Sequence, residues 1–98
     1  MYDVKEDGNL VTPGKILFDF TEDQSKEKLA VPDGIKVDKN GVIYCTGPAG
    51  VYVIDADGTY LGRISSGHAT ANVAFAEHDE SLYLYMTSNM FLTRVKLI

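Results

Sequence analysis

Two meanders of short apolar strands, set about forty residues apart, constrain this chain more than any other feature of it. In the first, Gly34-Ile35-Lys36-Val37-Asp38 alternates apolar and polar residues, the pattern of a half-buried strand. Asp38-Lys39-Asn40-Gly41 follows as a hairpin turn, because Asn-Gly accepts the positive φ values a tight turn requires. Residues 42–46 (VIYCT) form an apolar run of strand length, and Gly47-Pro48-Ala49-Gly50 interrupts it. Residues 51–55 (VYVID) and 59–64 (TYLGRI) are two more strands, joined by the tight turn at Asp57-Gly58. Four strands joined by hairpins make an up-and-down meander.

The second meander restates the first. Asn72-Val73-Ala74-Phe75 aligns with Asp33-Gly34-Ile35-Lys36, and Leu82-Tyr83 with Ile43-Tyr44, both at an interval of 39. Thr87 follows Thr46 by 41, and residues 91–97 (FLTRVKL) match 51–55 at an offset near 40. A four-stranded unit recurring at this period is the sequence pattern of a propeller blade. The expected fold class is all-β: about two four-stranded antiparallel blades, an incomplete ring unless copies assemble. Residues 1–20 are expected to hold the trailing strand of a preceding blade, at 15–20 (KILFDF). Residues 31–66 would be one full blade, and 70–98 three strands of the last. The polar stretch 21–29 reads as a loop; Thr21 and Gln24 have capping-box spacing for a turn of helix, whose length Pro32 limits. Two blades cannot close a ring, and alone they leave unpaired edges and an open face. Either the chain is part of a longer protein or copies assemble.

Composition narrows the function classes. Hydrophobic residues make up 45% of the 98, too many for a disordered chain. The net charge of −5 and scattered basic residues argue against a nucleic-acid backbone as partner. Cys45, the single cysteine, has no intramolecular partner, consistent with a reducing compartment. The charged start, Met1-Tyr2-Asp3-Val4-Lys5-Glu6-Asp7, has no apolar signal core, and no apolar run approaches membrane-spanning length. The expectation is a cytoplasmic protein without a membrane partner.

One known family carries this order of residues. Leu29-Ala30-Val31-Pro32-Asp33-Gly34-Ile35-Lys36-Val37-Asp38, then Gly41 through Asp55 (GVIYCTGPAGVYVID), resembles the pattern of the gluconolactonase (regucalcin-like) family. That pattern runs leucine–proline–aspartate–glycine, a strand, a glycine-rich turn and a glycine–valine strand. Gly62-Arg63-Ile64, Asn72-Val73-Ala74-Phe75 and Leu82-Tyr83 continue it in order. The resemblance covers roughly residues 14–97 and implies the C-terminal part of a six-bladed propeller. It also implies hydrolysis of sugar-type lactones with a divalent metal, usually calcium, in the central channel. A glutamate, two asparagines and an aspartate from different blades hold that metal. The aspartate maps onto Asp33; the blades that carry the other ligands have no counterpart here.

The resemblance makes Asp33 the candidate metal ligand and general base for water attack on the lactone carbonyl. Against that stands the plain reading of Pro-Asp-Gly as a turn. Asn72 begins the matching strand of the next unit and is the candidate substrate contact, or else satisfies backbone groups at a strand start. Asp55-Ala56-Asp57-Gly58 lacks the spacing and terminal glutamate of a calcium-binding loop and reads as a hairpin turn. His68 and His78 have no third ligand at metal-type spacing and read as solvated. Cys45 lies on an apolar strand and reads as packed core. Ser66 and His68 are neighbours, but no nucleophile elbow is present.

Two functional expectations follow. The chain is the C-terminal portion of a calcium-dependent sugar-lactone hydrolase, inactive alone because most metal ligands are missing. Alternatively it is a structural module that forms a closed propeller by homotrimerisation or by complementing a second chain.

Overall fold

The computed structural model describes residues 1–26 and 31–98; Leu29, Ala30 and the Gln24 side chain lie outside the described residues. The fold is all-β, as expected, with one short helix, α1 (Thr21–Lys26). Strands β1 (Ile35–Val37), β2 (Ile43–Gly47), β3 (Gly50–Ile54) and β4 (Tyr60–Ile64) form a four-stranded antiparallel sheet in that order. Strands β5 (Thr70–His78), β6 (Ser81–Ser88) and β7 (Phe91–Leu97) form a three-stranded one. Two successive antiparallel meanders of this kind are consistent with a partial propeller.

The turns follow from their residues. At Asp38–Gly41 the Asp38 Oδ1 accepts the amides of Asn40 and Val42, at 2.8 and 3.0 Å, and only Gly41 takes a positive φ, of 83°. Asp55–Gly58 repeats the backbone pairing of that turn, the Gly58 amide donating to the Asp55 carbonyl at 2.9 Å as Gly41 does to Asp38, with Gly58 at φ 93°. The β5–β6 hairpin is less favourable: Asp79 and Glu80 both sit in the left-handed region, at φ 49° and 64°, without a glycine.

The ladder pairing corrects the repeat. Gly34 faces Thr46, whereas Asn72 faces Thr87. Asn72 therefore holds the place of Gly34 rather than of Asp33, and Leu84-Tyr85 rather than Leu82-Tyr83 matches Ile43-Tyr44. The slip arises because β5 runs nine residues and β1 three, so the second hairpin extends further before it turns.

Residues 15–20 form no strand, contrary to the expected trailing strand. Their alternation is real but serves packing across a sheet face. Phe18 and Phe20 lie against Tyr52, with ring centroids 6.0 and 4.9 Å apart, over the cluster of Ala49, Tyr52 and Ile54. α1 begins where a helical turn was expected, but its cap is Asp19. The Asp19 Oδ1 accepts the Thr21 amide at 2.9 Å and the Thr21 hydroxyl at 2.6 Å, and these bonds hold the carboxyl below its ordinary range.

The four-stranded sheet thus packs on both sides at β2 and β3, while β1 stays exposed. One lies under residues 14–20. The other packs on the three-stranded sheet through Val51, Val73, Leu84 and Met86, flanked by Tyr44, Ile64 and Phe75. Full burial of a side chain such as Leu84 contributes about 1.5–3 kcal/mol. The sheets approach closest along β1, β2 and β5. That brings the starts of β1 and β5 together at one end of the molecule.

Candidate functional site

Asp33 and Asn72 both lie at that end. A backbone clamp sets each of them. Thr46, fully buried, accepts the amides of Asp33 at 3.1 Å and Gly34 at 2.9 Å on its Oγ1. Its own amide donates to the Gly34 carbonyl at 2.9 Å. In the second sheet Thr87 repeats the arrangement: its Oγ1 accepts the Asn72 amide at 3.1 Å, and its hydroxyl donates to the Asn72 carbonyl at 3.3 Å. These two threonines position the site and carry no expected role of their own; the signal that marks them is the same residue at the end of both second strands.

With its backbone held, the Asp33 side chain is exposed, and its carboxylate makes no hydrogen bond or ion pair among the described residues. It lines an open cleft of about 310 Å³ with Val31, Thr70, Ala71, Thr87 and Asn89. Asn72 is also exposed, but its Oδ1 turns back to accept the Val73 amide at 2.9 Å. It borders a neighbouring recess of about 150 Å³, whose wall also includes Thr87. Gly34 joins the two residues. A Cβ there would come within 2.8 Å of the Asn72 Cα and 2.9 Å of the Ala71 carbonyl oxygen, so only glycine lets the starts of β1 and β5 approach this closely.

These residues do not by themselves fit a hard cation, which takes about six to eight oxygen ligands. Asp33 offers two oxygens at most, and the Asn72 oxygen already accepts a backbone amide. Among the described residues no three of His, Cys, Asp and Glu come together. The remaining candidates lie elsewhere. His68 is exposed beside Phe91, and His78 lies 3.2 Å from the Asp79 carboxylate. The Ser66 hydroxyl donates to the His68 carbonyl at 3.3 Å rather than facing its ring. Cys45 is half-buried, and burial pushes its thiol up from the ordinary value, which disfavours a nucleophilic thiolate. Asp55–Gly58 is a hairpin turn in which Asp57 accepts the Thr59 amide at 2.9 Å.

Beneath the N-terminal segment the fully buried Tyr52 is held up in pKa. Burial is the main cause and the nearby Asp23 adds to it, while Arg63 opposes. Its hydroxyl lies near both groups without an aligned hydrogen bond. No described helix is long and apolar enough to cross a membrane.

Comparison with known proteins adds to this geometry. A gluconolactonase from Zymomonas mobilis subsp. mobilis is 31% identical over 99 residues, covering 98% of this chain and 28% of the relative. The chain therefore spans little more than a quarter of the length of the curated relative it matches. No solved structure matches it. The sequence profile of the SMP-30/Gluconolactonase/LRE-like region matches residues 1–90, nearly the whole length, and the chain belongs to that family.

Proposed function

We propose that this chain is the portion of a sugar-lactone hydrolase that contributes Asp33 to the reacting end of the molecule, and that the 98 residues alone do not catalyse. The observation that carries the reading is the Asp33 carboxylate. Thr46 fixes its backbone, while the carboxylate itself makes no bond among the described residues, at the end where two family-type sheets converge. A general base needs such an acceptor within reach of water. In lactone hydrolysis a water oxygen attacks the ring carbonyl, Asp33 takes the water proton, the ring C–O bond breaks, and the leaving alkoxide is protonated. The product is a hydroxy acid.

The sugar lactone as substrate rests on the name of the matched relative. Calcium dependence rests on the family likeness. The cation would need oxygens beyond those of Asp33 and Asn72. Thr87 and Asn89 wall the Asp33 cleft and Asn72 borders the next recess, which supports assigning their polar groups to contacts with sugar hydroxyls. A net charge of −5 agrees with a protein that keeps away from anionic membrane surfaces.

The test is pH-stat hydrolysis of an aldonolactone, with and without calcium. The purified chain is expected to show the uncatalysed rate. Mixed with the unmatched portion of a family member, it is expected to restore a rate that Asp33→Asn removes. Restored activity indifferent to Asp33→Asn would refute the assignment, as would calcium-dependent turnover by the chain alone.

A further inference from the structure

Besides Asp33, three polar side chains border the cleft and its neighbouring recess, and two of them are already engaged. The Thr87 hydroxyl donates its proton to the Asn72 carbonyl and accepts the Asn72 amide. The Asn72 Oδ1 accepts the Val73 amide. The third, Asn89, is exposed, and its carboxamide makes no hydrogen bond among the described residues. A carboxamide carries two donors and an acceptor. Asn89 thus brings both kinds of hydrogen-bonding capacity, uncommitted, to the cleft that Asp33 lines.

The backbone that carries this carboxamide is fixed. Asn89 is the first of the two residues that turn β6 into β7, with Ser88 paired to Phe91 across the turn. Its amide donates to the Ala69 carbonyl at 3.0 Å, which ties the turn to the segment entering β5. Just before it Ser88 is fully buried, its hydroxyl 3.3 Å from those of Thr70 and Thr93. Asn89 itself sits in the left-handed region, at φ 57°. Asparagine tolerates that conformation and glycine suits it better, so the turn does not require a carboxamide. The matching turn of the first sheet does without one: Pro48 and Ala49 occupy it, both buried. The walls of the cleft all come from inside the chain, from residues 31–33 ahead of β1, residues 69–71 at the start of β5, and the end of β6 with its turn.

We infer that Asn89 sets specificity at this cleft: its carboxamide hydrogen-bonds a ring hydroxyl of the lactone, so the site favours polyhydroxylated lactones over unsubstituted ones. That role rests on the lactonase reading for its substrate and adds the residue that tells one lactone from another. Asp33 acts on water at the reacting carbonyl, and Asn89 holds a hydroxyl away from it. The cleft is open, so solvent can replace a lost hydroxyl, and the preference amounts to about fivefold to tenfold rather than the far larger factors of an enclosed polar site.

Amide-detected NMR of the intact chain, titrated separately with an aldono-γ-lactone and with γ-butyrolactone, tests this role. The aldonolactone is expected to shift the Asn89 side-chain amide pair together with the Ala71 and Gly34 backbone amides, and to bind about fivefold to tenfold more tightly than γ-butyrolactone. Asn89→Gly suits the φ of the turn, so circular dichroism should be unaltered while that preference disappears. Binding that moves the backbone amides and leaves the Asn89 side chain unshifted would overturn the assignment. So would a preference that survives Asn89→Gly, or no shift anywhere in the cleft. Each of these results bears on hydroxyl recognition alone; the lactonase reading fails separately, when restored turnover is indifferent to Asp33→Asn.

Discussion

Replacing Thr46 by valine removes one oxygen and almost no volume, yet it strips two amides of their acceptor. The Asp33 amide precedes the sheet in an exposed segment and can turn to water at little cost. The Gly34 amide is half-buried beside Asn72 and has no such escape. Leaving a buried donor unpaired costs about 1–3 kcal/mol, and loss of the second bond adds up to about 1. The expected total for Thr46→Val is about 2–3 kcal/mol, a large share of the roughly 5–15 kcal/mol typical of a whole domain. Thr87→Val is the internal control. Thr87 and Asn72 are both exposed, so the same chemical change should cost about 1 kcal/mol or less. Urea unfolding reads the difference: with m near 1–1.5 kcal/mol/M, Thr46→Val should lower the midpoint by about 2 M and Thr87→Val by well under 1 M. Equal shifts for the two variants would refute the argument that burial of the first clamp decides its worth. Unchanged exchange protection at the Gly34 amide would refute it as well.

Other consequences can be checked independently. Gly34→Ala pushes a methyl against the Asn72 backbone and the Ala71 carbonyl, so it should destabilise by about 1–3 kcal/mol and open the junction of β1 and β5 in exchange measurements. Glu80→Gly relieves a left-handed residue in the β5–β6 turn and should raise thermal stability by about 1 kcal/mol in calorimetry. In alkaline solution the raised phenols of Tyr52 and Tyr44 stay protonated when folded while the unfolded chain ionises from about pH 10. The folded state then binds more protons than the unfolded one, so stability falls from near pH 10 upward, and Tyr52→Phe should flatten that limb of a pH–urea series.

The local elements were legible in the residues, for local reasons. Asn40-Gly41 and Asp57-Gly58 announce turns because glycine reaches the positive φ they need, and alternation over 34–38 announces a strand because its period is two. Thr21 began a helix as its spacing suggested, although the acceptor that caps it belongs to Asp19. Asp33 was a candidate through the family likeness alone, against the plain reading of Pro-Asp-Gly as a turn; its clamp was not legible, because Thr46 acts from thirteen residues away.

Tertiary structure decided everything that depends on which surfaces meet. Residues 15–20 alternate like a strand, but they join no ladder, and Phe18 and Phe20 pack on the apolar face around Tyr52 as a cover. The interval of 39 became 41 because β5 and β6 pair for longer than β1 and β2 before turning, a length that hydrogen bonding sets and spacing does not reveal. Sequence alone determined that this chain forms meandering antiparallel sheets, since side-chain period and turn chemistry act over a few residues. How the sheets stack, and that the Asp33 carboxylate has no bond among the described residues where they converge, only the packed molecule could decide, because those contacts join residues that the chain keeps far apart.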